Sequence, residues 1–298
     1  MSEPRPREFA FERAFRRWLE ARGGRWQRLR YARPEAGGEV SAYRLAPPGP
    51  PRARVLLVHG AGNDALFALV GLCKALLRRG CEVASFDVDG HGRHSGTRLR
   101  AEAAPGAVPA ALRQAWPDAD SDALPLHGVG VSLGGALLLR ALADLPGAFV
   151  SATLQVAPLR VEFSPRALRA ELGRPLLRAW WRERAHYGLT GLIPSFGPVR
   201  RGAYPLRLEA PRPGAFGYVA ALNELLESLR LEDAARAVRA PTLLVYGAAD
   251  RLVPAAQGER LARLLPHAEL LVLAGETHLS TPLAPLALAR TLRQVTPR

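Results

Sequence analysis

Between residues 53 and 157 short apolar runs alternate with longer stretches of helical spacing. The runs are ARVLLVHG (53–60), CEVASFDVD (81–89), LPLHGVGV (124–131) and FVSATLQVA (149–157). Runs of this length, bounded by Gly and polar residues, predict strands buried on both faces. The intervening patterns predict helices: one through Leu77 with its stop at Gly80, one over Val108–Trp116, and GGALLLRALADLPG ending at Gly147. After residue 240 the rhythm resumes with PTLLVYG (241–247), a helix near Ala255–Leu265, AELLVLA (268–274) and a closing helix from Leu283. Strands joined by crossover helices imply an α/β fold with a mostly parallel central sheet flanked by helices.

The flanks follow other patterns. Phe11, Phe15, Trp18 and Leu19 recur at helical spacing with Arg13, Arg16 and Arg17 between them. This predicts a basic amphipathic helix that packs its aromatic stripe on the body, although such a helix could also lie on a membrane surface. WQRLRYAR (26–33) and GEVSAYRLA (38–46) predict two further strands, followed by the turn PPGPP. From 158 to 240 the strand–helix rhythm stops, and Arg, Pro and aromatic residues dominate. Phe163, Trp180, Trp181, Tyr187, Phe196, Phe216 and Tyr218 lie in or near this window. It is expected to be a helical cap inserted between the sixth and seventh sheet strands, over the carboxyl edge where open α/β sheets bind ligands. The expected organisation is an N-terminal helix (1–25) packed on the body, a core (26–157 and 241–298) and a cap, or lid (158–240).

Composition narrows the class. The 298 residues are 48% hydrophobic, enough for one large packed domain. Cys73 and Cys81 are too few for a disulfide scaffold or a structural zinc site and are expected to be buried apolar residues. The start, MSEPRPREF, lacks a signal-peptide core, and no run approaches the ~20 apolar residues of a membrane span, so a cytoplasmic protein is expected. The net charge of +14 is regional: residues 1–54 hold 13 Arg against 6 acids and residues 160–212 hold 11 against 4, the remainder being neutral. Lys74 is the only lysine. A solvated arginine surface explains this best, with at most a weak contact to an anionic membrane surface or anionic small molecule. No helix-turn-helix, zinc or RNA-binding aromatic pattern accompanies the charge, so no nucleic-acid partner is expected.

One stretch, GVGVSLGG (128–135), carries two chemistries. As a dinucleotide-binding turn it needs a third glycine where Leu133 stands, and an acid about 20 residues on. Asp144 lies only 14 residues after Gly130. As Gly130-Val131-Ser132-Leu133-Gly134 between a strand and a helix, it satisfies the sharp turn that presents a nucleophilic serine, with glycines giving the room that turn requires. A serine hydroxyl becomes nucleophilic only when a base takes its proton and a third group orients the base. Asp250, in VYGAADRLVP, and His278, in GETHLS, each follow a later strand, in the chain order serine, acid, histidine. An acyl-transfer site also needs two N–H donors for the developing oxyanion. Leu133 supplies one by position; the loop VLLVHGAGND nominates Ala61 for the other.

With VLLVHGAG (55–62), FDVDGHGRHSG (86–96), GVGVSLGG, YGAADRLVP (246–254) and GETHLS (275–280) in this order, the chain resembles the α/β-hydrolase superfamily over about residues 53–295, apart from the cap. Within it the chain is most similar to the monoacylglycerol lipase and lysophospholipase (serine aminopeptidase-like) branch. GHGRHS is one residue longer than the branch's common G-H-G-x-S, and the N-terminal helix has no counterpart that can be matched. The resemblance implies a nucleophile at Ser132, an acid at Asp250, a base at His278 and oxyanion amides at Ala61 and Leu133. The expected function is a serine hydrolase acting on small-molecule acyl esters through an acyl-enzyme, as a carboxylesterase or lysophospholipase. An acyl-CoA thioesterase, acyltransferase or peptidase on the same triad, or a non-catalytic binding protein, stay open as alternatives. No cofactor is expected. Asp87, Asp89, His91 and His94 invite a zinc reading, but such a loop shapes the turn beside the active site in hydrolases of this class, so no metal is expected either.

Overall fold

The computed structural model describes residues 8–92, 94–117, 124–162, 164–171, 173–187 and 214–295. Its strands are β1 (Arg25–Arg33), β2 (Gly38–Ala46), β3 (Ala53–Val58), β4 (Cys81–Phe86), β5 (Leu126–Val131), β6 (Ser151–Gln155), β7 (Thr242–Gly247) and β8 (Ala268–Leu273). They form one sheet in the order β1-β2-β4-β3-β5-β6-β7-β8. β1 pairs antiparallel with β2, and β2 with β4, while the remaining pairings are parallel. β3 lies between β4 and β5, so the sheet first grows one way from β3 and then the other. Such a reversal opens a crevice beyond the carboxyl ends of the two strands. The loop with Ala61 leaves β3 there, and Ser132 directly follows β5.

β3, β4, β6 and β7 are buried along their whole length, which explains why they read as continuous apolar runs. Alternate residues still go to opposite faces. Leu56 and Val58 join a cluster with α3 (Ala107–Ala115), α4 (Leu133–Asp144) and α9 (Ala255–Leu264). Val55 and Leu57 join the other, with α1 (Ala10–Glu20), α2 (Val70–Arg78) and α10 (Pro285–Val295). Phe11, Phe15 and Leu19 of α1 are buried in that second cluster. Trp18 is half-buried beneath a set of cations: the Arg22 and Arg78 guanidiniums lie 4.7 and 5.3 Å from its ring centroid and the Lys74 ammonium 5.3 Å. Part of the basic character of this end is therefore spent on an aromatic face. Cys73 and Cys81 are free and buried.

The chain between β6 and β7 contributes α5 (Pro165–Glu171), α6 (Arg174–Tyr187), α7 (Gly214–Ser228) and α8 (Leu231–Ala237). This places the cap insertion between the sixth and seventh strands. Leu225, Leu226, Leu229 and Leu231 sink into the same cluster as α4, rooting the end of the insertion in the body. Among the described residues no helix is long and apolar enough to cross a membrane.

Phe15 is the measure of how much the N-terminal helix contributes. Its ring is 1% exposed and stands edge-on to Trp26 with centroids 5.3 Å apart. Phe15→Ala is expected to lower unfolding free energy by about 3–5 kcal/mol, read as a reduced urea midpoint with an unchanged slope. A loss below about 1 kcal/mol would mean that the helix is not part of the cooperative core.

Candidate active site

Ser132 sits between β5 and α4 at φ 51°, ψ −121°, a conformation that side chains disfavour. Backbone of this kind costs about 1–3 kcal/mol and persists only where its surroundings fix it. Here the Ser132 N–H donates to the Gln155 carbonyl at 2.8 Å, and its own carbonyl accepts from the N–H groups of Gly135 (2.8 Å) and Ala136 (3.2 Å). The neighbouring glycines are required by space. A Cβ on Gly134 would stand 2.1 Å from the Val58 carbonyl oxygen, and one on Gly130 2.5 Å from that of Gly134. The first turn of α4 thus lies directly on the ends of β3 and β5, with its unpaired N–H groups and positive dipole end at the serine.

His278 Nε2 lies 2.9 Å from Ser132 Oγ, and its Nδ1 lies 2.8 Å from Asp250 Oδ2. An ionised carboxylate only accepts, so Nδ1 carries the proton and Nε2 is left as the acceptor for the serine hydroxyl. Asp250 is fully buried, and its second oxygen accepts the N–H groups of Leu252 (2.9 Å) and Val253 (2.8 Å). Both oxygens are committed, which fixes the carboxylate plane and with it the imidazole. The three side chains come from the ends of β5, β7 and β8, and the structure brings them into one hydrogen-bonded chain.

The nominated oxyanion amides are those of Leu133 and Ala61. Leu133 begins α4, and Ala61 lines the cavity above the serine. Neither N–H has an acceptor among the described residues. His59, passed over in the sequence, orients the Ala61 donor. Its Nε2 accepts the Val88 N–H at 2.9 Å, so Nδ1 is protonated and donates to the Gly60 carbonyl at 2.7 Å. In a trans peptide, fixing the Gly60 carbonyl points the Ala61 N–H the opposite way. Burial, with the charge of His91 adding to it, pushes His59 down to about 3, so the ring stays neutral. The signal was present in VLLVHGAG: a histidine directly before the loop glycine, inside an otherwise apolar run.

The cavity over Ser132 has a volume of about 340 Å³. Its walls are mainly apolar: Phe67, Leu69 and Val131 from the body, Leu176, Ala179 and Trp180 from α6, and Leu279, Pro282 and Leu283 after β8. Of the other cap aromatics, Trp181 is exposed against the Arg184 guanidinium, and Tyr218 meets His91 Nε2 through its hydroxyl at 3.1 Å. Phe163 and Phe196 lie outside the described residues, as do the side chains of Tyr187 and Phe216. The acidic and histidine residues after β4 brace that loop. Asp87 accepts the Ala65 N–H (2.9 Å) and the Ser95 hydroxyl (2.8 Å), while Asp89 pairs with buried Arg33 at 2.6 Å. Among the described residues no group of His, Cys, Asp or Glu is arranged to hold a metal ion.

Gly134→Ala forces a Cβ against backbone and is expected to cost about 3 kcal/mol or more. In Gly128→Ala the added Cβ comes nearest to the Leu138 side chain, whose terminal carbons lie 2.8 Å away and can shift, and the cost is smaller. Equal urea midpoints for the two variants would contradict the steric account. Glu183, in the cavity wall, is pushed up to about 8 by burial, with Lys74 opposing. Its folded pKa thus exceeds the ordinary carboxyl value of 4.5, and the folded state holds the extra proton between them. Stability from this group is full below about pH 4.5 and is lost as pH rises towards 8. Glu183→Gln is therefore expected to gain in melting temperature over the parent as pH rises from 5 to 9. A constant difference would overturn the assignment.

A family model described as the alpha/beta hydrolase family matches residues 55–291. No curated protein matches the chain. Among solved structures, a serine hydrolase from the polyaromatic-hydrocarbon-degrading bacterium Cycloclasticus zankles is similar with TM-score 0.65 and 16% identity, over 91% of this chain and 97% of that one. The naproxen esterase (carboxylesterase NP) of Bacillus subtilis gives TM-score 0.63 and 16% identity, over 97% and 99%. The monoacylglycerol lipase of Paleococcus ferrophilus gives TM-score 0.55 and 21% identity, over 80% and 90%. At these identities the likeness is one of fold.

Proposed function

The chain belongs to the α/β-hydrolase family, and on that premise we propose that it is a serine hydrolase cleaving carboxylic esters through an acyl-enzyme. The observation that carries the proposal is the continuous chain Ser132 Oγ, His278, Asp250, with links of 2.9 and 2.8 Å. Ser132 Oγ attacks the acyl carbonyl as its proton passes to His278 Nε2. Asp250 holds the imidazole in the required tautomer and stabilises the imidazolium that forms. The carbonyl oxygen, now an oxyanion, receives the N–H groups of Ala61 and Leu133; one such donor is worth about 2.7–4 kcal/mol of barrier. Collapse of this adduct expels the alcohol, protonated by His278. Water then adds to the acyl-enzyme, giving its proton to the same nitrogen; as the bond to Ser132 Oγ breaks, that proton returns to the serine oxygen and the acid leaves.

Ester is favoured over amide because an alkoxide departs more readily than an amine. An apolar cavity walled by Leu176, Trp180 and Leu283 suits a hydrocarbon acyl or alkyl group on a small-molecule substrate. The solved relatives named as an esterase and a monoacylglycerol lipase support the same bond class. In this reading residues 26–157 and 241–298 form the catalytic body on which the N-terminal helix (1–25) packs. The cap (158–240) sets what the body is offered.

Parent protein is expected to hydrolyse activated esters and to be labelled by a fluorophosphonate at Ser132. Ser132→Ala is expected to lose labelling and to lower turnover by roughly 1000-fold or more. A folded parent that neither labels nor cleaves any ester in a graded acyl-length series would refute the proposal.

A further inference from the structure

The loop that bears His278 is held by side chains from the cap, about 100 residues away in sequence. Glu171, the last residue of α5, is 1% exposed. Its Oε1 accepts the His278 N–H at 3.0 Å and its Oε2 accepts the Leu279 N–H at 3.0 Å. From α6, Arg182 donates to both carboxylate oxygens of Glu276 (2.8 and 2.9 Å) and to the Ser280 carbonyl (3.0 Å). Arg178 donates to the Gly275 carbonyl at 2.9 Å. Both flanks of His278 are thus tied to the cap, and the residue itself is tied at its own backbone nitrogen.

A carboxylate that takes two consecutive amides, one on each oxygen, fixes the orientation of the peptide between them. Bonds to an ionised acceptor are about twice as strong as neutral ones. Rotation of the His278 backbone would move the imidazole off Ser132 Oγ, 2.9 Å away, and off Asp250. The body offers Asp250 to the far end of the ring, but the near end, the backbone, is gripped by α5. α6 carries the same connection to the substrate space: Leu176, Ala179 and Trp180 line the cavity while Arg178 and Arg182 hold the loop. A substrate that packs on α6 packs on the helix that secures the base.

Building on the assignment of His278 as base, we propose that Glu171 is a positioning residue, through which a docked cap sets His278 in line with Ser132.

Glu171→Gln keeps the size but replaces one acceptor with a donor that faces an amide, and Glu171→Ala removes both acceptors. Each is expected to lower kcat for a small ester, and the rate of fluorophosphonate labelling at Ser132, by roughly 10- to 100-fold. KM is expected to stay within about twofold, since the interaction acts on the base and not on bound substrate. The downfield proton resonance of the His278–Asp250 hydrogen bond is expected to shift or broaden in both variants. Should Glu171→Ala not fold, Glu171→Gln carries the test. A folded variant with parental kcat, labelling rate and resonance overturns the proposal. So does a raised KM with unchanged kcat, which would make Glu171 a support of the pocket alone. The resonance is read without turnover, so a parent inactive on esters would remove the esterase reading while Glu171's hold on His278 is still measured.

Discussion

The close approach of α4 to β3 is the constraint from which the site follows. No side chain fits at Gly134, because the Val58 carbonyl oxygen occupies the place of its Cβ. That contact lets the helix begin within one residue of the strand's end and forces Ser132 into its positive-φ turn. Gly60 meets the same corner from the other side, where a Cβ would lie 3.1 Å from that of Ser132. Strand order, helix start and loop approach converge at one point. The hydroxyl, the free amides and the crevice share that point because the sheet reverses its growth between β3 and β5.

Around this corner the polar groups are held by bonds that leave little choice. Asp250 spends one oxygen on backbone and one on His278; His59 spends one nitrogen on Val88 and one on Gly60. In a low-dielectric interior an unpaired polar group is costly, so each satisfied partner also fixes a direction. The tautomer of each histidine follows from its neighbour: a carboxylate for His278, a backbone N–H for His59. Orientation, more than proximity alone, is what the proposed proton transfer needs.

Much of this was legible in the chain because it is local. The strands at 53–60, 81–89, 124–131 and 241–247 announce themselves as apolar runs since each is covered on both faces. Gly130, Ser132 and Gly134 announce the turn because the steric demand falls within five residues. Asp250 and His278 could be placed because each stands just after a strand. What stayed hidden depends on contacts far apart in sequence. Nothing near Glu171 marks it as a partner of residues 278 and 279, and nothing in the run VLLVHGAG says which way the His59 ring faces. The antiparallel pairing of β2 with β4 is likewise a product of the whole sheet.

The same distinction governs the charge. A surplus of arginine invites an anionic partner, yet several of these arginines are used internally. Arg33 is buried between Asp89 and Glu35, Arg44 pairs with Glu82, and Arg22 and Arg78 cover Trp18. In the cap, Arg178 and Arg182 are turned onto the loop of His278. Net charge counts these residues as free cations, whereas the structure uses them as planar, multi-donor connectors, a role that lysine fills poorly. With Lys74 the only lysine, the composition fits a chain that uses its cations to join elements to one another. Arg178 and Arg182 of the cap are therefore accounted for by how the cap meets the body and not by what it binds.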